Sequence, residues 1–181
     1  EVESKDKLDD FLNAQMRKLQ TDHLDFYLLH ALGEKHWARV QEWDVLEWAE
    51  KAIADGRIGA LGFSFHDNFD SFKEIVDGYD KWILAQVQYN YMDIEYQAGT
   101  RGVQYATSKG IPIVVMEGLR GGKLAATPPE LQEIFKTAPT QRTPVGWALH
   151  WLWDQPEVKV VLSGMSSFDQ VKENMALANA A

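Results

Sequence analysis

The sequence predicts an α/β fold of five consecutive strand–helix units with parallel strands. Three observations carry this. Short apolar runs alternate with longer stretches whose apolar residues recur at helical spacing. Helix start and stop signals fall at the boundaries between them, such as Asp55-Gly56, Thr143-Pro144 and Ser167-Phe-Asp-Gln170. No repeat, low-complexity segment or linker interrupts the alternation. Strands separated by helices pair in parallel through right-handed crossovers. Two architectures meet that description, an open doubly wound sheet or a piece of a (β/α)₈ barrel. A complete barrel takes ~250 residues, so an intact one does not fit the 181 residues present.

The elements follow in order. Residues 6–20 read as a helix, with Leu8, Phe11, Leu12, Met16 and Leu19 at helical spacing among charged residues. Residues 24–29 form a strand whose apolar run Phe26-Tyr27-Leu28-Leu29 suits a covered sheet, with His30 immediately after it. Residues 38–55 form one long helix ending at Asp55-Gly56. Ile58 to Phe63 is a strand, and Ser64 to Asn68 is its exit loop. A helix covers 69–77 and a strand 82–88. The helix over 98–109 stops at Gly110, with Pro112 two positions on. Strand 111–116 leads into a Gly-rich loop, and a short helix lies near 129–136. Thr143 as N-cap and Pro144 as first helical residue open a helix through about 154. Strand 158–162 precedes a last helix opened by the Ser167…Gln170 capping box. The whole chain, residues 1–181, is expected to be one α/β domain.

Composition narrows the function classes. Hydrophobic residues make up 45% of the chain, enough for a sizeable core. No cysteine is present, which excludes disulfides, thiolate metal sites and a cysteine nucleophile within these residues and suits a cytoplasmic setting. A net charge of -9 with no basic block argues against nucleic acid or an anionic membrane as partner. No apolar run approaches the ~20 residues of a membrane span. The polar, mixed-charge opening is not a signal peptide, and the chain does not begin with Met.

In both architectures ligands bind at the carboxyl ends of the strands. His30 stands at the first such end, Ser64 with His66, Asp67 and Asn68 at the second, and Gln86, Gln88 and Asn90 near the third. The fourth runs into Met116-Glu117-Gly118-Leu119-Arg120-Gly121-Gly122-Lys123, and the fifth into Ser163-Gly164-Met165-Ser166-Ser167. Gly121 and Gly122 between Arg120 and Lys123 suit a phosphate, because glycines admit an anion to the backbone N–H groups and the cations neutralise it. The N–H groups at Ser166-Ser167 are a second candidate anion site. Each feature also has a structural alternative. His30 can be a packing residue, Ser64 a cap for the next helix, Gln86 and Asn90 partners of loop backbone, and the Gly pair a turn. His23, His36, His66 and His150 lack metal-ligand spacing, so no metal site is expected. The helical Trp37, Trp43, Trp48, Trp147, Trp151 and Trp153 read as packing. Spacing alone stops at an α/β domain, a phosphate-containing ligand and a candidate catalytic histidine.

The stretches LDFYLLHAL, GRIGALGFSFHD, AQVQYNYMD, IPIVVMEGLRGGKLA and VKVVLSGMSSFDQVKENM, in that order, resemble the second part of an aldo-keto reductase. They are most similar to the branch with FSFHD and RGGKL motifs, whose members often carry an iron–sulfur segment after the barrel; these residues contain no such segment. The resemblance extends from Leu24 to Asn174. It implies a partial (β/α)₈ barrel, strands four to eight, and NADP(H)-dependent hydride transfer to or from a small carbonyl or alcohol substrate. It implies that His30 is the family's catalytic histidine, which orients the carbonyl beside a Tyr general acid and the Lys that tunes it. Ser64 and Gln86 match the nicotinamide-carboxamide contacts. Met116 stands where an aromatic residue stacks on the nicotinamide, and Phe65 where many members have Asn. Leu119, Gly121 and Gly122 match the pyrophosphate loop, with Gly118 in place of a common Pro. Glu173 and Asn174 match the adenine contacts. Gln170 and Gly164 stand where NADP-preferring members carry Arg and Lys, so NAD is the alternative cofactor.

The family's Asp, Tyr and Lys belong to strands one to three, which would precede residue 1. The chain alone is therefore expected to have little or no reductase activity. Two unpaired sheet edges are expected to pair with another polypeptide, the preceding segment or a second copy. The alternatives are a non-catalytic nicotinamide-binding regulator on the same scaffold, and an unrelated doubly wound domain with a phosphorylated ligand.

Overall fold

The computed structural model describes residues 2–126 and 129–180. After a 3-10 turn at Lys5–Lys7 the elements run α1 (Leu8–Leu19), β1 (Leu24–Leu32), α2 (Glu34–Glu42), α3 (Val45–Ala54), β2 (Ile58–Phe65), α4 (Phe69–Asp77), β3 (Ala85–Gln88), α5 (Gly99–Ser108), β4 (Ile113–Met116), α6 (Pro129–Lys136), α7 (Pro144–Trp153), β5 (Val158–Val161) and α8 (Phe168–Asn179). The five strands form one sheet in the order β1-β2-β3-β4-β5, and every pairing is parallel. The strand–helix alternation predicted from the pattern is therefore present, with the helices on one side of the sheet.

Registration sorts the residues onto two faces, because side chains alternate along a strand. Leu29, Phe63, Ala85, Ile113 and Val158 fall in one lateral row. This row and its companions Phe65, Val87 and Val115 face the helices. Phe63, Phe65, Ile113 and Val115 are fully buried there. Phe72 of α4 packs on Phe65 with ring centroids 5.0 Å apart and on Phe63 at 5.9 Å. Trp82 adds an edge contact to Phe63 at 4.8 Å and donates its indole N–H to the Ile75 carbonyl, so a large aromatic ring is buried without an unpaired donor.

The opposite face carries Phe26, Leu28, Gly62, Ser64, Gln86, Val114, Met116 and Val160. It is the more open one: Phe26 is 57% and Val160 47% exposed. Among the described residues, β1 and β5 each pair on one side only. A sheet with one more open face and two edges unpaired among the described residues follows from these pairings.

Three local expectations are corrected. His30 does not follow the first strand but lies inside it, because β1 continues through a register irregularity between Leu29 and Leu32. The long helix over 38–55 is two helices, separated at Asp44, which adopts φ +49. Ser64 does not cap α4; the Asn68 side chain does, accepting from the N–H groups of Asp70 and Ser71. The caps at Thr143 and Ser167 form as the residue types predict, the second as a complete capping box with Gln170.

Candidate functional site

The candidate residues lie on the inner face and in the loops beyond its carboxyl edge. His30 is exposed, and its ring makes no hydrogen bond among the described residues. Its position depends on its neighbour. Ala31 adopts φ +50, its N–H donates to Ser64 Oγ at 2.8 Å, and its carbonyl meets His36 Nδ1 at 2.7 Å. Both backbone groups of the irregular residue are thus pinned, which offsets the cost of left-handed backbone at a residue with a Cβ. His30 reaches the margin of a cavity of about 340 Å³ beside β1, lined also by Phe11, Tyr27, Trp43 and Trp48.

Ser64 pairs in register with Gln86 across the β2–β3 boundary. The Ser64 oxygen accepts from Ala31, so its own hydroxyl proton remains for another acceptor. Gln86 Nε2 lies 3.4 Å from the Met116 sulfur, a weak contact that aligns the amide and the thioether on one surface. Ser64, Gln86 and Met116 therefore form a continuous strip on the inner face.

The second group converges elsewhere. A cavity of about 270 Å³ lies between the β4 exit loop, the β5 exit loop and the start of α8. Leu119, Gly121, Gly122, Gln170, Glu173 and Asn174 all line it. Gly121 and Gly122 have φ +62 and +87, values that glycine adopts without strain. A Cβ built on either would meet nothing within 4 Å, so the loop surface is open. Gly118 is different: a Cβ there would lie 2.6 Å from Leu152 Cδ1, so the space over it is filled. Lys123 is exposed and does not line the cavity. At the far wall Asn174 Nδ2 donates to Ser163 Oγ at 2.9 Å, and Glu173 Oε1 accepts from Thr143 Oγ1 at 2.7 Å.

Two expectations about anion binding change in the folded chain. The Ser166 and Ser167 N–H groups both donate to Gln170 Oε1, at 2.7 and 3.2 Å, so they are not open to an anion. In the Gly-rich loop the N–H groups of Arg120, Gly122, Lys123 and Leu124 turn inward to loop carbonyls, whereas that of Gly121 has no partner among the described residues. Arg120 is also committed: its Nε sits 3.0 Å from Asp93 Oδ2.

Asp93 was not singled out from the sequence. Its Oδ2 also receives Gln88 Nε2 at 3.3 Å and Asn90 Nδ2 at 3.2 Å. Asn90 is fully buried, accepts from the N–H groups of Met92 and Asp93, and reaches the Glu117 carbonyl at 3.4 Å. This knot ties the β3 exit to the loop beyond β4. The Asn90–Asp93 spacing is a turn signature visible in the sequence, but its partner Arg120 is not.

Comparison with known proteins places this geometry. The chain is similar to the aldo-keto reductase AKR11C1 of Bacillus halodurans in its holo form, with 26% identity over 98% of this chain and 63% of that one and a TM-score of 0.81. The apo form gives 25% identity, the same 98% of this chain, 64% of that one and a TM-score of 0.79. An aldo/keto reductase of Klebsiella pneumoniae, solved in complex with NADP and acetate, matches in fold with 24% identity, 92% of this chain, 57% of that one and a TM-score of 0.69. The chain thus spans a little over three-fifths of the length of the first two, and its sheet with outer helices corresponds to part of the barrel of such reductases. None of the curated proteins matches it. The model of the Aldo/keto reductase family matches residues 2–181, from one end of the fold to the other, and the chain belongs to that family.

Proposed function

We propose that the protein binds a nicotinamide adenine dinucleotide across the carboxyl ends of its strands and takes part in hydride transfer to or from a small carbonyl or alcohol substrate. The observation that carries this reading is the convergence of Leu119, Gly121, Gly122, Gln170, Glu173 and Asn174, from two distant segments, on one 270 Å³ cavity. The inner-face strip of Ser64, Gln86 and Met116 belongs to the same carboxyl edge. Family membership supports the oxidoreductase class.

The residues present fit the cofactor. The open space over Gly121 and Gly122, with a Gly121 N–H that has no partner among the described residues, admits a pyrophosphate to the main chain. The spare Ser64 hydroxyl proton and the Gln86 amide offer both hydrogen-bonding senses that a carboxamide needs. Met116 gives a polarizable surface for a flat ring. Glu173 and Asn174 serve the adenosine end. Bound there, the cofactor supplies or accepts the hydride.

The backbone next to His30 is fixed at Ala31, which is hydrogen-bonded to Ser64 of this strip. A ring N–H donated to the substrate oxygen would orient the carbonyl and stabilise charge developing on it. The proton itself is assigned to a Tyr and Lys pair outside these residues, so the 181-residue chain alone binds cofactor and turns over little. The test is a titration with NADH and NADPH followed by Trp fluorescence. Saturable binding, weakened by Asn174→Ala and by Gly122→Val with the fold intact by circular dichroism, is expected. No saturable binding by either nucleotide refutes the proposal.

A further inference from the structure

We infer that the adenosine end of this cavity is built for a ribose with free hydroxyls, so that the protein prefers NADH to NADPH. This rests on the function proposed above. Beyond the glycine loop the cavity presents Ser163, Gly164, Gln170, Glu173 and Asn174, and among the described residues no Lys or Arg lines it. The charged linings among the described residues are Glu117 and Glu173, both acidic. A 2′-phosphate brings close to two further negative charges and finds no cation to neutralise them.

The nearby cations are occupied or directed elsewhere. The Arg120 guanidinium is paired with Asp93 at 3.0 Å. Lys172 lies over the Phe168 ring at 5.0 Å, and Arg142 lies over Trp147 at 5.1 Å. Lys123 is exposed and outside the lining.

The remaining attraction for a phosphate would be the positive end of α8. Here the protein supplies its own acceptor. Gln170 Oε1 takes the N–H groups of Ser166 and Ser167, and Ser167 Oγ takes that of Gln170. The capping box leaves the N–H groups of Phe168 and Asp169 as the donors at this helix start without a partner among the described residues, so a phosphate there would meet two main-chain donors and no cation. A ribose diol has the opposite requirement, because its hydroxyls donate. Glu173 has one oxygen engaged by Thr143 and a second to accept from such a group. Gln170 and Glu173 are thus the specificity-determining pair.

The test is a paired titration of the protein with NADH and NADPH, read by Trp quenching and nucleotide fluorescence at two salt concentrations. NADH should bind about fivefold or more tightly, the scale of one incompletely screened charge contact. The gap should narrow as salt rises. Gly164→Lys places a cation on the wall where a Cβ meets nothing within 4 Å, and it leaves the capping box intact. It should raise the affinity for NADPH about fivefold relative to that for NADH. Gln170→Arg should shift the ratio the same way. NADPH binding as tightly as NADH, or a ratio unmoved by Gly164→Lys, overturns the inference and leaves the proposed function standing. Failure of both nucleotides to bind overturns the function and this inference with it.

Discussion

Replacing Asp93 by Ala removes one carboxyl oxygen that three donors share: Gln88 Nε2, Asn90 Nδ2 and Arg120 Nε. Gln88 is 7% and Asn90 0% exposed, so neither amide can turn to water. Asn90 keeps the Glu117 carbonyl at 3.4 Å, whereas Gln88 loses the one partner its amide nitrogen has among the described residues. A buried donor left unpaired costs about 1–3 kcal/mol. The Arg120 ion pair adds less than ~1 kcal/mol, because the arginine side chain is 42% exposed and well screened. The expected loss is therefore about 1–4 kcal/mol for Asp93→Ala. Asp93→Asn keeps an oxygen for the two neutral amides and gives up only the charge, so about 0.5–1 kcal/mol is expected. Urea denaturation followed by Trp fluorescence separates the two. An Ala variant within ~0.5 kcal/mol of the parent, or an Asn variant as damaged as the Ala one, would show that the knot contributes nothing of this kind.

Other consequences are equally direct. His30→Ala should leave stability within about 0.5 kcal/mol, as for an exposed side chain without hydrogen-bond partners among the described residues; a loss above ~1.5 kcal/mol in thermal denaturation would make His30 a structural residue instead. Lys73 first, then Tyr105 and Lys109, hold the Asp77 carboxyl well below its ordinary value of 3.8. A depressed folded value contributes stability that is present above the ordinary value and lost as pH falls below it towards the folded one. Asp77→Asn should therefore flatten the acid limb of the stability–pH curve below about pH 4, and parallel curves for parent and variant there would refute the assignment. Gly118→Ala forces its Cβ to within 2.6 Å of Leu152 Cδ1 in a fully buried position, so a loss of about 1–3 kcal/mol is expected in denaturant unfolding. A neutral result would mean that the packing there is loose.

Much of the fold can be read from neighbouring residues. Thr143 and Ser167 cap their helices because an N-cap hydroxyl needs only the N–H two or three positions on. Asp55-Gly56 and Gly110 end helices for the same local reason: Gly56 and Gly110 adopt φ +79 and +80. The break at Asp44 was not legible, since the apolar spacing continues across it. Inside the site, the family resemblance points to Leu119, Gly121, Gly122, Gln170, Glu173 and Asn174, but not to Val145, Leu149 or Leu162 of the same cavity. Nor does it tell what these residues do with their hydrogen bonds. Gln170 offers an accepting oxygen to Ser166 and Ser167 in place of an open helix end, and Arg120 turns to Asp93.

By itself the sequence determined the strand–helix alternation, the helix caps and the family, because each is written in patterns a few residues long and in their order along the chain. Only the tertiary structure decided that Ser64 holds Ala31, 33 positions earlier, and so sets the place of His30. It also decided that the Gly-rich loop and the start of α8 share one cavity that no cation lines among the described residues. The physical reason is one of range. Backbone preferences and caps act within a turn of the chain, whereas pairing across a parallel sheet joins groups separated by a whole crossover, and their partners exist only once the strands are in register.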